Sequence, residues 1–454
     1  MSSNSLSSGR IVLDLADASL RAAAAAAGYA KHAMQLSTML GTRTATVPET
    51  RRAVFLAAAI VLVAALGAVF VRNFTDFFVY YTAGRSLLSG RTDLYAPDFA
   101  RGVVMDYRYL PVFILTFAPL SIAPYPIAAW VWHLLNTAAI ALGVASIASV
   151  CRKLPYSRAK VWTVAFLIVV PYFAMALDYG NVHLIVTALM FAGLALAVRG
   201  RDLSAAALLA VAITVKIIPA LMLPYFAITR RFKLLGLVAI ITIAINLLPS
   251  IYFGVGENYN LITGWFEHVI VGQEFHETNG PINLSLKGQL RRTFTKVDYT
   301  QRVDGDYRYA AVNVAALPTS AVDRVWMVIS AFMFVGGLVL IWMSARPPTD
   351  ARIVMLQIGL LICLMLFIGP LTSKVYLVAL LWPVVAIGVA AWDQDAIRRA
   401  LIGVAIVSSM LPLLPGRTMQ RFLLVAGTDF YVSTAILVLV AFALMRSSTL
   451  HRSG

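Results

Sequence analysis

The strongest constraint on this chain is a series of long apolar, nearly uncharged runs that recurs from residue 53 to residue 445. A run of about 18 residues or more is long enough to cross a ~30 Å hydrocarbon core as a helix. The Leu, Ala, Val and Ile in these runs are continuous rather than alternating, which excludes the strands of a membrane barrel. Composition agrees, with 60% hydrophobic and only 13% charged residues, where soluble domains carry roughly 25% charged residues. The expected fold is an all-α polytopic membrane protein.

The formal net charge is +16. In a soluble domain that would suggest a nucleic-acid partner. Here the Lys and Arg residues gather in short loops between apolar runs, as the positive-inside rule requires, and no nucleic acid is expected. The two cysteines, Cys151 and Cys363, lack ligand spacing. No metal site, disulfide framework or cofactor is expected.

Loop charge sets the expected topology. Residues 1–52 read as a cytoplasmic N-terminal tail without a cleavable signal, because Arg10, Asp14, Asp17 and Arg21 interrupt any apolar core. The membrane domain covers 53–445 and the cytoplasmic C-terminal tail 446–454. Spans are expected near 53–71, 125–150, 160–177, 182–198, 234–253, 323–344, 353–370, 375–391, 399–414 and 428–445. The proline-bracketed stretch YLPVFILTFAPLSIAP is too short to span and reads as re-entrant. Both RGRD (199–202) and TRRFK (229–233) are basic and belong inside, so two short crossings between them should meet near Lys216 and Pro219. The total is about twelve helices, with external loops 72–108 and 254–322. The location is then a plasma (inner) membrane, with both termini cytoplasmic and the polar site extracytoplasmic.

That topology brings distant polar residues to one face. Asp76 follows the first span in NFTDFFVYY. A carboxylate desolvated beside Phe74, Phe77, Phe78 and Tyr80 suits a general base, although an acid there also fits a helix cap. Asp178, Asn181 and His183 lie in the external turn DYGNVH, which also reads as an ordinary solvated turn. Lys216 is a lysine inside an apolar run, and such residues mark pathways or anion sites unless they snorkel to the interface. In TNGPINLSLKGQLRR, Asn279, Asn283 and Ser285 offer hydrogen bonds suited to sugar hydroxyls. Lys287, Arg291 and Arg292 offer cations suited to phosphate or to anionic headgroups. Lys374, in GPLTSKVY beside Tyr376, is a further external cation.

Several of these pieces, in this order, resemble glycosyltransferase family 87, multi-spanning GT-C type enzymes that include polyprenyl-phosphate-mannose-dependent mannosyltransferases. They are Asp76 with Tyr80, Leu94–Tyr95, YRYLP from Tyr107 to Pro111, and Trp132 with Asn136. Further on come GNVH from Gly180 to His183, Lys216 with Pro219, and Asn283, Ser285 and Leu286 followed by Arg291. GNVH stands where Gly-Gln-x-Asn is usual, and Val375 and Tyr376 stand where many members carry histidines. The resemblance implies a GT-C fold of about twelve transmembrane helices. It also implies an inverting sugar transfer from a polyprenyl-phosphate-sugar donor, mannose or another hexose or pentose, to a lipid or glycan acceptor. Asp76 would be the base. Tyr80, Asp178, Asn181, His183, Lys216, Asn283, Ser285, Arg291, Arg292, Lys374 and Tyr376 would bind substrate, with membrane lipids around them. The alternative is a transporter or flippase of cell-envelope glycan precursors, whose polar groups would lie near the bilayer midplane between repeats.

Overall fold

The structure, a computed structural model, describes residues 74–100, 106–271, 281–296, 311–345 and 350–450, together with Gly67 and Val71. The chain divides into two units, Met1–Val69 and Phe70–Gly454, and every helix from Thr75 onward lies in the second. Apart from Gly67 and Val71, the expected first span at 53–71 lies outside the described residues, as do Asn279 and the whole expected N-terminal tail, 1–52.

Among the described residues there is no strand. The elements are α1 (Thr75–Leu88), α2 (Pro111–Phe117, continued as a 3-10 turn over Ala118–Ile122), α3 (Tyr125–Cys151), α4 (Arg158–Tyr179) and α5 (His183–Val198). Next come α6 (Asp202–Val215), a 3-10 turn at Ile218–Met222, α7 (Leu223–Ile228), α8 (Phe232–Leu247), α9 (Val255–Trp265) and α10 (Leu286–Phe294). The C-terminal part holds α11 (Thr319–Ser344), α12 (Ala351–Ile368), a 3-10 segment at Lys374–Leu380, α13 (Leu381–Ala391) and α14 (Asp395–Met410). It ends with α15 (Arg417–Ala426) and α16 (Thr428–Leu450).

Eight helices among the described residues are long and apolar enough to cross a membrane. Shorter apolar helices cover Pro111–Ile122, His183–Val198, Asp202–Val215 and Ile218–Ile228. The chain is thus a multi-pass membrane protein. Helix α12 and the segment Lys374–Ala391 are enclosed on nearly all sides, whereas α8 and α11 lie at the periphery. Those outer helices turn large apolar side chains outward, with Phe332 78% and Ile240 65% exposed. Apolar surface on that scale needs lipid to cover it.

The expected broken hairpin is present. Arg231 pairs with Asp202 and donates to the carbonyl of Ala197, so the RGRD and TRRFK loops meet at one end of the bundle. Between them the chain runs out along α6 and back through α7. Helix α6 stops at Lys216, whose backbone is extended (φ −143°, ψ 128°), and Pro219 lies in the 3-10 turn that follows. At 14 residues, α6 is about 21 Å long, so Lys216 stops short of crossing a full ~30 Å core. Helix α5 packs against both α3 and α6. It runs from His183 at the far end to Val198 beside the Arg231–Asp202 pair, 16 residues or about 24 Å away.

Candidate functional site

The site is assembled at the end of the bundle opposite that pair, where α4 gives way to α5. Gly180 ends α4 in the left-handed region (φ 60°), and its carbonyl accepts from Trp132 Nε1 at 2.6 Å. A Cβ there would sit 2.9 Å from Phe77 Cβ and 3.0 Å from Phe74 Cγ. Glycine is therefore required both for its φ and for the approach of α1. Gly180→Ala is expected to cost about 2–4 kcal/mol, from left-handed strain and overpacking. The measurement is thermal unfolding of the purified protein, and an unchanged midpoint would contradict this account.

The turn that Gly180 opens delivers Asn181 to Asp76. Asn181 Nδ2 donates to Asp76 Oδ2 at 2.7 Å, and its Oδ1 accepts from the His183 backbone N–H at 2.8 Å. One buried side chain thus fixes the carboxylate and starts α5. Asp76 is half-buried, in the first turn of α1. Tyr80, one turn on, is buried and shares a 2.7 Å hydrogen bond with the hydroxyl of Tyr109. Burial pushes both phenols up from their ordinary value, so both stay neutral and act through hydrogen bonds. Phe77, Phe113, Phe117 and Trp132 pack edge-on or stacked around them. Tyr109 is held in turn by the loop before it, where Tyr95 donates to its carbonyl at 3.0 Å.

Lys216 completes the cluster. Its Nζ donates to the Tyr376 hydroxyl at 2.8 Å and lies 4.5 Å from the centre of that ring and 5.7 Å from the centre of Tyr109. Two aromatic faces therefore hold the ammonium by cation–π attraction. Tyr109 connects the two halves of the cluster, since its hydroxyl bonds Tyr80, one turn from Asp76, while its ring faces Lys216. On the other side of Tyr376, His183 stacks flat, ring centres 4.2 Å apart and planes within 11°. His183 is 2% exposed, and its Nδ1 finds no hydrogen-bond partner among the described residues.

Six of the sequence candidates therefore converge: Asp76, Tyr80, Asn181, His183, Lys216 and Tyr376. Tyr109 joins them. It was visible in the sequence only as part of YRYLP, where nothing separates it from its neighbour Tyr107.

Asp178 and Lys374 lie elsewhere. Lys374 Nζ pairs with Asp429 Oδ2 at 2.9 Å, and Tyr172 donates to Asp429 Oδ1 at 3.1 Å. Asp178 lines the same cavity, of about 420 Å³. Asp429, an acid in the first turn of an apolar helix, is a residue that the sequence reading did not single out.

The loop residues form a third group. Asn283 is fully buried, its Nδ2 donating to the Pro370 carbonyl at 3.0 Å and its Oδ1 accepting from the Ser285 and Thr372 N–H groups. Ser285 Oγ caps α10 by accepting from Gly288 N–H at 3.2 Å. Arg291 and Arg292 are each 1% exposed. Arg291 Nε donates to Asp323 Oδ1 at 2.7 Å, and Arg292 donates to the carbonyls of Val425 and Asn283. The expected phosphate-binding forks are thus turned to protein partners, and this group ties the 281–296 segment to residues 370–372, α11 and α15. Arg291→Ala should lower stability by about 1–3 kcal/mol by leaving Asp323 without its main partner. The rate per folded molecule should be unchanged. Unfolding and turnover measured on one preparation separate the two effects.

The described residues thus form a multi-pass helical membrane protein that gathers Asp76, Tyr80, Tyr109, Asn181, His183, Lys216 and Tyr376 at one end of its bundle. The comparison with known families makes this specific. The model of Glycosyltransferase family 87 matches residues 107–370, more than half of the chain, and the chain belongs to that family. It is a membrane glycosyltransferase. The matched region holds Tyr109, Asn181, His183 and Lys216, while Asp76, Lys374 and Tyr376 lie outside it. No curated protein and no solved structure matches the chain.

Proposed function

We propose that the protein transfers a sugar, with inversion, from a polyprenyl-phosphate-sugar to a hydroxyl of a lipid or glycan acceptor, at the extracytoplasmic face. One observation carries this reading: a carboxylate positioned by Asn181 shares its surroundings with an ammonium held by Tyr376 and Tyr109. A base for the acceptor hydroxyl and a cation for the departing phosphate serve the two ends of such a transfer. The acceptor oxygen attacks the anomeric carbon as Asp76 takes its proton. The bond from that carbon to the phosphate oxygen breaks, and the electron pair leaves with the polyprenyl phosphate. Negative charge grows on the departing oxygen, where Lys216 stabilises it more in the transition state than in the ground state.

Loop charge supports this face. The site lies one α5 length from the Arg231–Asp202 end, and the basic loops at that end belong in the cytoplasm. His183 and Tyr376 position the amine, and Asn181 positions the base. Asn283, Ser285, Arg291 and Arg292 support the site from the loop that packs on residues 370–372. The polar groups lie at one end of the bundle, which favours the enzyme over the flippase.

The test is transfer by the purified protein in lipid, supplied with membrane lipid extract and a panel of polyprenyl-phosphate sugars, with nucleotide sugars in parallel. Product from a polyprenyl-phosphate sugar alone is the expected result. Product from nucleotide sugars alone would overturn the donor assignment.

A further inference from the structure

Helix α8 begins at Phe232, next to the Arg231–Asp202 pair, and the apolar stretch that it opens runs to Phe253. Those 22 residues rise about 33 Å, enough to cross a ~30 Å core. Gly254, at φ 85°, then turns the chain into α9. Asn258 Nδ2 reaches back to the Asn246 carbonyl and to Ser250 Oγ, each at 3.0 Å. The first turn of α9 is thereby drawn beside the last turns of the α8 stretch, at the acid–lysine end of the bundle.

The helix has three different sides. At roughly 100° per residue, Asn258, Leu261 and Trp265 fall on the first. Asn258 and Leu261 are buried, and Trp265 Nε1 donates to the Arg108 carbonyl at 3.2 Å. Val255, Tyr259, Ile262 and Phe266 fall on the second, where Val255 is 76%, Tyr259 67% and Phe266 51% exposed. Glu257, Asn260 and Glu267 fall on the third, and all three are exposed. Protein covers the first side and water suits the third. The second needs an apolar cover.

Continuity identifies that cover. Ile240, Ile243, Leu247 and Ile251 follow one another at helical spacing on the outward face of the α8 stretch, and all are exposed. Lipid covers them, because this stretch crosses the membrane. Exposed Tyr252 and Val255 carry the same apolar surface around the turn at Gly254 and onto α9. Tyr259 then lies where hydrocarbon gives way to headgroups, a depth that suits an apolar ring with a hydroxyl at its tip. Residues 255–271 hold two Glu and no Lys or Arg, so anionic headgroups offer this helix no attraction.

We infer that α9 is an interfacial helix. Through Val255, Tyr259, Ile262 and Phe266 it docks on the headgroup boundary of the leaflet at the acid–lysine end, and it needs no anionic lipid for this. Its inner side gives the docking a consequence for the site. Trp265 bonds the carbonyl of Arg108, and Tyr95, whose ring lies against Gly264, donates to the carbonyl of Tyr109 at 3.0 Å. Tyr109 turns its ring to Lys216. Seated in lipid, α9 braces the segment that presents Tyr109 to the amine. This bracing bears on turnover only on the transferase reading; the docking does not rest on it.

The experiment is spin labelling of the purified full chain in phosphatidylcholine vesicles. Tyr259→Cys and Asn260→Cys put a label on the apolar and the polar side. Both positions are exposed, whereas Cys151 and Cys363 are buried, so the introduced thiol takes the label. Collisions with oxygen, which concentrates in lipid, are compared with collisions with a water-soluble nickel chelate. The oxygen-to-nickel ratio at 259 is expected to exceed that at 260 several-fold, with no rise when phosphatidylglycerol is added. Ready access of nickel to 259 would put the stripe in water and overturn the inference. Shielding of 259 from both reagents would also overturn it, by showing that a second copy of the chain covers the stripe. So would a high ratio that appears only with phosphatidylglycerol. Val255→Asp combined with Phe266→Asp should lower the ratio at 259 several-fold at an unchanged thermal midpoint, and an unchanged ratio would count against the docking. With Tyr259 in place, that double variant should lose several-fold in kcat, as should Trp265→Phe, which removes the N–H that meets Arg108. A normal kcat with the helix displaced would overturn the bracing. If the wild type transfers no sugar while the ratios hold, the docking stands and the transferase reading falls.

Discussion

Asp76→Asn is expected to lower the rate of sugar transfer by about 10²–10⁴-fold, the usual contribution of a positioned general base. The fold should be untouched. Asparagine has the shape of aspartate, and its amide oxygen still accepts from Asn181 Nδ2, which lies 2.7 Å from the carboxylate. The neighbours do not depend on the charge: Tyr80 keeps its bond to Tyr109, and Phe77 keeps its place among the rings. What disappears is the ability to accept the acceptor's proton as its oxygen attacks. The loss should therefore fall on kcat, with KM for both substrates little changed, because the interaction is made in the transition state. Initial rates with labelled donor, beside melting curves of both proteins, decide the matter. A folded variant that turns over at the wild-type rate would make Asp76 a structural acid of the first turn of α1 and return the search for the base to the rest of the cluster. Asn181→Ala is a milder version of the same test. It leaves the carboxylate but frees it to turn, so a smaller fall in kcat is expected.

What the sequence could show of this site depended on whether a residue was unusual where it stood. Asp76 and Lys216 were legible because charge is expensive in or beside an apolar run. The break at Lys216 was legible because two basic loops only about 26 residues apart both had to lie inside, and Pro219 marked where the helix could stop. The long spans were legible by length, and eight of the nine expected from residue 125 onward coincide with helices long and apolar enough to cross, while the ninth, 182–198, is the shorter helix α5.

Pairing was not legible. Arg291 and Lys374 were visible as cations, but the acids that face them, Asp323 and Asp429, sit in other elements, 32 and 55 residues further on. A single sequence carries no sign of such pairs. The same limit hid the stack of His183 on Tyr376, which joins α5 to the segment after α12. Tyr109 was hidden for a different reason. In a membrane protein, tyrosines are common at the interface, and only the geometry of its ring over Lys216 separates it from them. Helix α15, between two spans, carries its apolar residues on one face, and at ten residues it is too short to give the length signal by which the spans were read.

Lys216→Met is the second large effect expected. Methionine is close to lysine in length and tolerates burial, so the cavity beside Tyr376 and Tyr109 stays filled. The charge is lost. If Lys216 meets the departing phosphate oxygen, kcat should fall about 10²–10³-fold, as when one transition-state donor is removed elsewhere. Lys216→Arg keeps the charge but not the point geometry held by two ring faces, and should recover only part of the rate. Tyr376→Phe supplies the internal control. It keeps the ring and its stack on His183 but removes the oxygen to which Lys216 donates at 2.8 Å. If Tyr376 acts by holding the amine, its loss should matter in the wild type and hardly at all in the Lys216→Met background, because contacting residues that work as a unit are non-additive. Fully additive effects would place Tyr376 on the substrate in its own right. A Lys216→Met protein with normal kcat and a raised KM for the donor would move the lysine from the leaving group to ground-state binding.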